Sequence, residues 1–265
     1  MKAKLLVILI SLMVSLAYLA TSGAETTGTR KRVVKPHEYG TIVINNFSVS
    51  KGEAPVVFPH WLHRSKYTCR LCHVDIGFAM KAGETRITEK DIKAGLYCGT
   101  CHNGKESFKR EGFETIRDVE VKNCDRCHSY GKDVTFKNDF YIFRKKLKRE
   151  RFGNGIDWLH AEQSKRIKLV DFIEGVSFER KAIKDPEDIT LRADEKTMPN
   201  IIFSHIKHAK WNGCELCHPE IFGVISGSTK YNMQDIFDGK YCGLCHSTVA
   251  FPNKDCQRCH TERVF

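Results

Sequence analysis

All 12 cysteines of this 265-residue chain fall into C-x-x-C pairs, and a histidine follows every pair. The six motifs are Cys69/Cys72-His73, Cys98/Cys101-His102, Cys124/Cys127-His128, Cys214/Cys217-His218, Cys242/Cys245-His246 and Cys256/Cys259-His260. No cysteine is left over. A disulfide framework is the usual reading of many cysteines in an exported chain, but it gives no role to the histidines. A zinc ribbon needs four ligands per metal, a thioredoxin-like pair occurs once on a βαβ unit, and iron–sulfur ligation has other cysteine spacings. None of these explains the adjacent histidine six times.

C-x-x-C-H is the attachment signature of c-type haem. The two thiols add across the vinyl groups, and the histidine is held beneath the iron as its proximal ligand. The motifs therefore predict six covalently bound haem c groups. Six of the 12 histidines are proximal, and His37, His60, His63, His160, His205 and His208 remain. Six irons with two imidazoles each need all of them, so these six are the candidate distal ligands. The i,i+3 spacing of His60/His63 and of His205/His208 can aim two rings at two different irons. A six-coordinate iron has no open position for substrate, which favours electron transfer over catalysis, and bis-imidazole ligation gives low potentials.

The first residues carry a basic start, an apolar stretch from Leu5 to Ala20 and a small-x-small site at Ser22-Gly23-Ala24, the pattern of a secretory signal peptide over 1–24. The stretch is short for a membrane span, which needs about 20 apolar residues. The remainder leaves about 40 residues per motif, too few for a large side-chain core, so the porphyrins themselves must fill the interior. The net charge is +11. Each haem brings two propionates, about −2 per cofactor, so the Lys/Arg excess is mainly their counter-charge. The export signal argues against nucleic acid as a partner. The basic run 144–151 is either a docking patch for an acidic redox protein or a solvated helix face.

The chain divides into an extended segment 25–54 with a β-like run at Thr41–Asn46, a motif-rich part 55–128, a cysteine-free, partly helical bridge 129–200, and a second motif-rich part 201–265. The two motif-rich parts repeat each other. FPHWLH before Cys69 matches FSHIKH before Cys214, DIKAGLYCGTCH matches DIFDGKYCGLCH, and the third site of each is C-x-R-C-H. Cys98 to Cys124 spans 26 positions and Cys242 to Cys256 spans 14, so the first part carries a 12-residue insertion.

On FPHWLHRSKYTCRLCH and FSHIKHAKWNGCELCH, each followed by two further C-x-x-C-H sites, the chain resembles the cytochrome c3/c7 superfamily, and specifically its triheme c7-type domain. The resemblance implies a mostly irregular fold with short helices and minimal β-structure, a haem-packed core, and two triheme units. It implies that His60 pairs with His73, His63 with His128, His205 with His218 and His208 with His260. The middle haem of each unit departs from the c7 pattern, because neither 74–97 nor 219–241 contains a histidine. His37 and His160 are the unassigned histidines for these two irons, and Met80 is the rival for the first. The resemblance further implies an electron carrier rather than an enzyme, in the periplasm or secreted, or associated with the outer membrane. Its partners are other cytochromes, quinol-oxidising proteins or outer-membrane conduit proteins, with self-association or a membrane-bound complex left open. A multihaem reductase with a catalytic haem is the alternative.

Overall fold

Each F-x-H-x-x-H segment leaves the outgoing arm of a two-stranded ribbon. In a computed structural model, which describes residues 34–103, 124, 127–129, 136–181, 184, 186–193, 197–246 and 248–262, β1 (Thr41–Ile44) pairs antiparallel with β2 (Val56–Pro59), Thr41 opposite Pro59. In the second repeat β3 (Ile189–Leu191) pairs with β4 (Ile201–Phe203), Ile189 opposite Phe203. The strands are rich in β-branched residues, which suit a pleated, half-buried surface. Residues 1–24, read from the sequence as a signal peptide, and most of the 12-residue insertion lie outside the described residues.

Short helices carry the motifs. α1 (His60–Arg64) follows β2 directly. A single π-turn at Leu71–Asp75 holds the first motif. Then come α2 (Glu89–Lys93) and α3 (Cys98–Cys101), α4 (Phe136–Arg144) and α5 (Trp158–Gln163) in the middle segment, and α6 (His205–Asn212), α7 (Met233–Phe237), α8 (Gly243–His246) and α9 (Cys256–Cys259) in the second repeat. α2 and α7 are matching elements with matching capping boxes. The side chain of Thr88 accepts from Asp91 N–H, and that of Asn232 accepts from Asp235 N–H, each satisfying an orphan donor of a helix start.

The side-chain core is small and lies in the middle segment. Phe140, Leu147, Ile156, Trp158, Ala161 and Ile167 pack with Trp61 of α1 and Trp211 of α6. One apolar cluster therefore takes a tryptophan from each repeat, and residues 35–265 form one compact unit. Ion pairs continue the join. Val170 exchanges backbone hydrogen bonds with Lys66 and Thr68, and Asp171 accepts from Thr68 Oγ1 at 2.6 Å and pairs with Arg70. Glu162 meets Lys210 at 2.7 Å, and Glu150 meets Arg258 at 2.9 Å. Arg180 reaches Asp75 of the first repeat at 2.5 Å and Glu215 of the second at 2.6 Å. Few short helices, two minimal ribbons and little apolar core are the architecture expected of a chain that packs around cofactors. Among the described residues no helix is long and apolar enough to cross a membrane.

Candidate haem sites

The ribbons and helices bring imidazoles close to one another in pairs. His60 of α1 and His73 of the first motif have ring centroids 6.5 Å apart and planes within 6°. His63 meets His102 at 6.1 Å, and His208 of α6 meets His246 at 6.2 Å. A metal–imidazole bond of about 2 Å on each side, plus about 1.1 Å from nitrogen to ring centre, puts the centroids of two axial ligands about 6 Å apart. All three pairs stand at that separation. Among the described residues no such approach joins His205 to His218, although each is dressed in the same way as its counterpart.

That dressing decides which nitrogen is available. Nδ1 of His60, His73, His128, His205, His208, His218, His246 and His260 lies within 2.6–3.0 Å of a backbone carbonyl oxygen. A carbonyl only accepts, so Nδ1 carries the proton and Nε2 of the neutral ring keeps its lone pair. This is the support that orients metal-binding histidines.

The carbonyls are set by the repeat. Gly40 and Glu187 supply those for His60 and His205, and each is the residue that the ribbon register places opposite its histidine. Ala54 and Pro199, each six residues before its repeat's first histidine, supply those for His128 and His260. Phe78 and Phe222 do so for His73 and His218.

The phenylalanine of F-x-H-x-x-H sits between the two imidazoles that follow it. Phe58 lies 5.0 Å from His60 and 4.5 Å from His63, and Phe203 lies 5.0 Å from His205 and 4.4 Å from His208. Burial pushes His60 and His246 down to about 4 and His63 to about 3, and it lowers His73 and His208 as well. The rings are neutral at pH 7, the form that binds a metal.

Backbone strain marks the second motif of each repeat. Tyr97 and Tyr241 stand at φ of 51° and 49°, immediately before Cys98 and Cys242. A bulky residue in that region is a true outlier. The kink presses each motif against the preceding helix, so that a Cβ at Gly99 or Gly243 would collide with the carbonyl of Ile92 or Ile236. The glycine of C-G-x-C-H is therefore required by packing, not by the attachment chemistry.

A cavity of about 1290 Å³ runs through both repeats, lined by cysteines of the first, second, fourth, fifth and sixth motifs, by His60, His63, His73, His208, His246 and His260, and by Met80. Burial pushes Cys98 and Cys242 up to about 11 and Cys72 and Cys245 to about 12, as befits thiols facing an apolar chamber. Paired cysteines, imidazoles at ligation separation and an apolar chamber between them all fit haem.

Sequence reasoning placed the histidine pairs in the site, but the partners differ from those the resemblance implied. His63 stands opposite His102, not His128, and His208 opposite His246, not His260. The second histidine of each pair faces the histidine of the middle motif. His37 and His160 lie elsewhere. His37 Nδ1 is 3.3 Å from the Tyr141 hydroxyl, and its Nε2 is 3.7 Å from the Glu38 carboxylate. His160 is exposed on α5. In the basic run 144–151, Lys145, Lys146, Arg149 and Arg151 are exposed, Leu147 is core, and Lys148 pairs with Asp157.

The family described as cytochrome c7 and related cytochrome c matches residues 56–129 and 201–261, just over half of the chain. Among solved structures, the C-terminal hexaheme fragment of GSU1996 is 25% identical, with 84% of this chain and 97% of that chain covered and a TM-score of 0.26. A c7-type three-heme cytochrome domain is 32% identical over 30% of this chain and 99% of its own, with a TM-score of 0.27. No curated protein matches. With six attachment motifs in a twofold repeat and a family match over both repeats, the chain belongs to the cytochrome c7 and related cytochrome c family, as a multihaem cytochrome.

Proposed function

We propose that the chain is an exported hexahaem electron carrier, built of two triheme units at 55–128 and 201–265 that are joined by the 129–200 segment. The observation that carries this reading is the set of imidazole pairs His60/His73, His63/His102 and His208/His246, each at the separation that two axial ligands require. The repeat extends it to His205/His218. Each bound haem supplies an iron that cycles between ferric and ferrous and so carries one electron.

The chain's own residues do the rest. The cysteine pairs tether a cofactor that so thin a shell would otherwise lose. The paired imidazoles would hold an iron between them and would leave no place for substrate there. Backbone carbonyls on Nδ1 fix ring orientation and tautomer, and Phe58 and Phe203 keep water from between the rings. The sequence assigns His37 and His160, with Met80 as rival for the first, to the middle irons; with His63 and His208 facing those motifs, the two histidines not otherwise spent are left for the irons on His128 and His260. The Lys/Arg excess balances propionates, and the exposed Lys145, Lys146, Arg149 and Arg151 offer a docking surface to an acidic redox protein.

Mass spectrometry of the exported protein, with pyridine haemochrome quantitation, should give six haems per chain. Five or fewer from a host with intact attachment machinery overturns the count. Reductase is the second reading, because placing His63 and His208 on the middle irons leaves the third-motif irons to ligands outside the histidine pairs. The reduced electron carrier should not bind carbon monoxide; a reductase with an open iron should bind it at one or two haems. Iron–methionine ligation would announce itself by its weak long-wavelength charge-transfer band, lost in Met80→Ala.

A further inference from the structure

Among the described residues Arg64 is a cation without an anion. It closes α1 directly after His63 and sits where both repeats meet the middle segment. Its guanidinium lies 4.8 Å from the ring centre of Trp158 and 5.1 Å from that of Trp211, and Nη1 donates to the Val249 carbonyl at 2.6 Å. The Nε atom is shut off from water and meets no acceptor. Burial is the largest influence on its charge, followed by Cys69, Cys245 and Tyr39. Tyr39 is neutral at neutral pH, burial pushing it up to about 12. No carboxylate pairs with Arg64 among the described residues.

A buried charge is normally paired or neutralised, and a guanidinium cannot shed its proton. The fold does not demand this arginine for a triheme unit, because the repeat places Ala209 at the matching position of α6. What distinguishes Arg64 is its place. It lines the shared cavity together with Cys69 and Cys245, the attachment residues of one haem in each repeat.

We propose that Arg64 takes a haem propionate as its counter-ion at the junction of the two triheme units, an inference that rests on reading Cys69 and Cys245 as haem attachment points. A guanidinium fork matches a carboxylate in two parallel hydrogen bonds, which would satisfy the idle Nε donor. The pair also has a redox consequence. A fixed positive charge in a low-dielectric site favours the more negative, ferrous state of a neighbouring haem. Arg64 thereby raises the potential of the junction haem it serves and makes that haem the preferred resting place of an electron between the units.

The test uses the full haem-loaded protein and two variants, Arg64→Gln and Arg64→Lys, with haem propionates ¹³C-labelled on the carboxylate. Potentiometric titration of Arg64→Gln should show at least one midpoint lowered by a tenfold change in the ferrous-to-ferric ratio at fixed potential, about 59 mV for one electron. Arg64→Lys should keep that midpoint close to the parent's. It should also shift a propionate carboxylate band in the redox-difference infrared spectrum, because a single ammonium replaces the fork. If Arg64→Gln retains six haems with every midpoint unchanged, Arg64 only packs between the indoles and the proposal falls. If Arg64→Gln does not accumulate, an unchanged carboxylate band in Arg64→Lys overturns it alone. A parent protein lacking haem at Cys69 and Cys245 removes the underlying reading, and the proposal with it.

Discussion

On the proposed reading a histidine becomes an iron ligand through its other nitrogen. Carbonyls at Gly40, Phe78, Phe251 and their counterparts hold Nδ1–H and leave Nε2 free, and burial keeps the rings neutral. The sign of the pH dependence follows. His60 has a folded pKa depressed from 6.5 to about 4, so its contribution to stability is fully present above pH 6.5 and is lost as the pH falls toward 4. Iron competes with the same proton, so the low-spin ferric spectrum should persist through pH 6.5 and give way to a high-spin form only well below it. Loss of low-spin character already at pH 6 would contradict paired imidazole ligation. At Gly99 and Gly243 the residue scale offers a structural test. An added methyl meets the carbonyl of Ile92 or Ile236, and overpacking of this kind costs about 1–3 kcal/mol. Gly99→Ala and Gly243→Ala should each lower the melting temperature, with their effect on haem content confined to the middle haem of the affected repeat. Cysteine and histidine identities made the attachment sites legible in the sequence. The ring that His63 faces was not, because an i,i+3 spacing says that two rings diverge, not which motif each one meets.

At the scale of elements, the ribbons are the devices that aim the histidines. TIVI at Thr41–Ile44 reads as a strand from its β-branched residues alone. Its counterpart Ile189–Leu191 lies in a stretch whose sequence reads as irregular, and only pairing with Ile201–Phe203 makes it a strand. The middle segment was legible as partly helical but not as the core. Trp158 and Phe140 sit among mixed charges with scattered apolar positions, and the pattern does not reveal that Trp61 and Trp211, from opposite repeats, complete their cluster. That cluster carries a prediction. Trp158→Ala removes the buried indole that both repeats share, a change that costs about 3–5 kcal/mol in a packed core. Denaturant unfolding of the haem-loaded variant should show the loss, while the haem count stays at six because the thioether bonds do not depend on packing. Unchanged stability would mean that the haems alone hold the two repeats together.

Across the whole molecule the attachment cysteines form a continuous series. After burial, the largest influence in each case, the Cys98 thiol feels Cys127; that of Cys72 feels Cys101, Cys69 and Cys98; and Cys217 and Cys245 both feel Cys69. Cys242 in turn feels Cys259 and Cys217. The order therefore runs from the third motif through the second to the first, crosses to the fourth and fifth, and ends at the sixth. On the proposed reading electrons cross between the repeats where Cys69 lies near Cys217 and Cys245, and that crossing is the step that the two-repeat architecture must secure. Arg180 is placed to secure it. It spans Asp75, whose side chain is fully shielded, and Glu215, inside the fourth motif. Breaking a buried pair leaves an uncompensated charge at a cost of about 3–5 kcal/mol, with the half-exposed Glu215 contributing little of it. Arg180→Gln should therefore loosen the contact between the first and fourth motifs without touching an iron ligand. After flash delivery of one electron per molecule, the parent should equilibrate over both units in a single fast phase. The variant should show a second, slower phase with the static spectrum of all six haems unchanged. A variant that keeps the single phase while losing the expected stability would assign Arg180 to holding the fold and leave the crossing to Arg64 and the tryptophans around it.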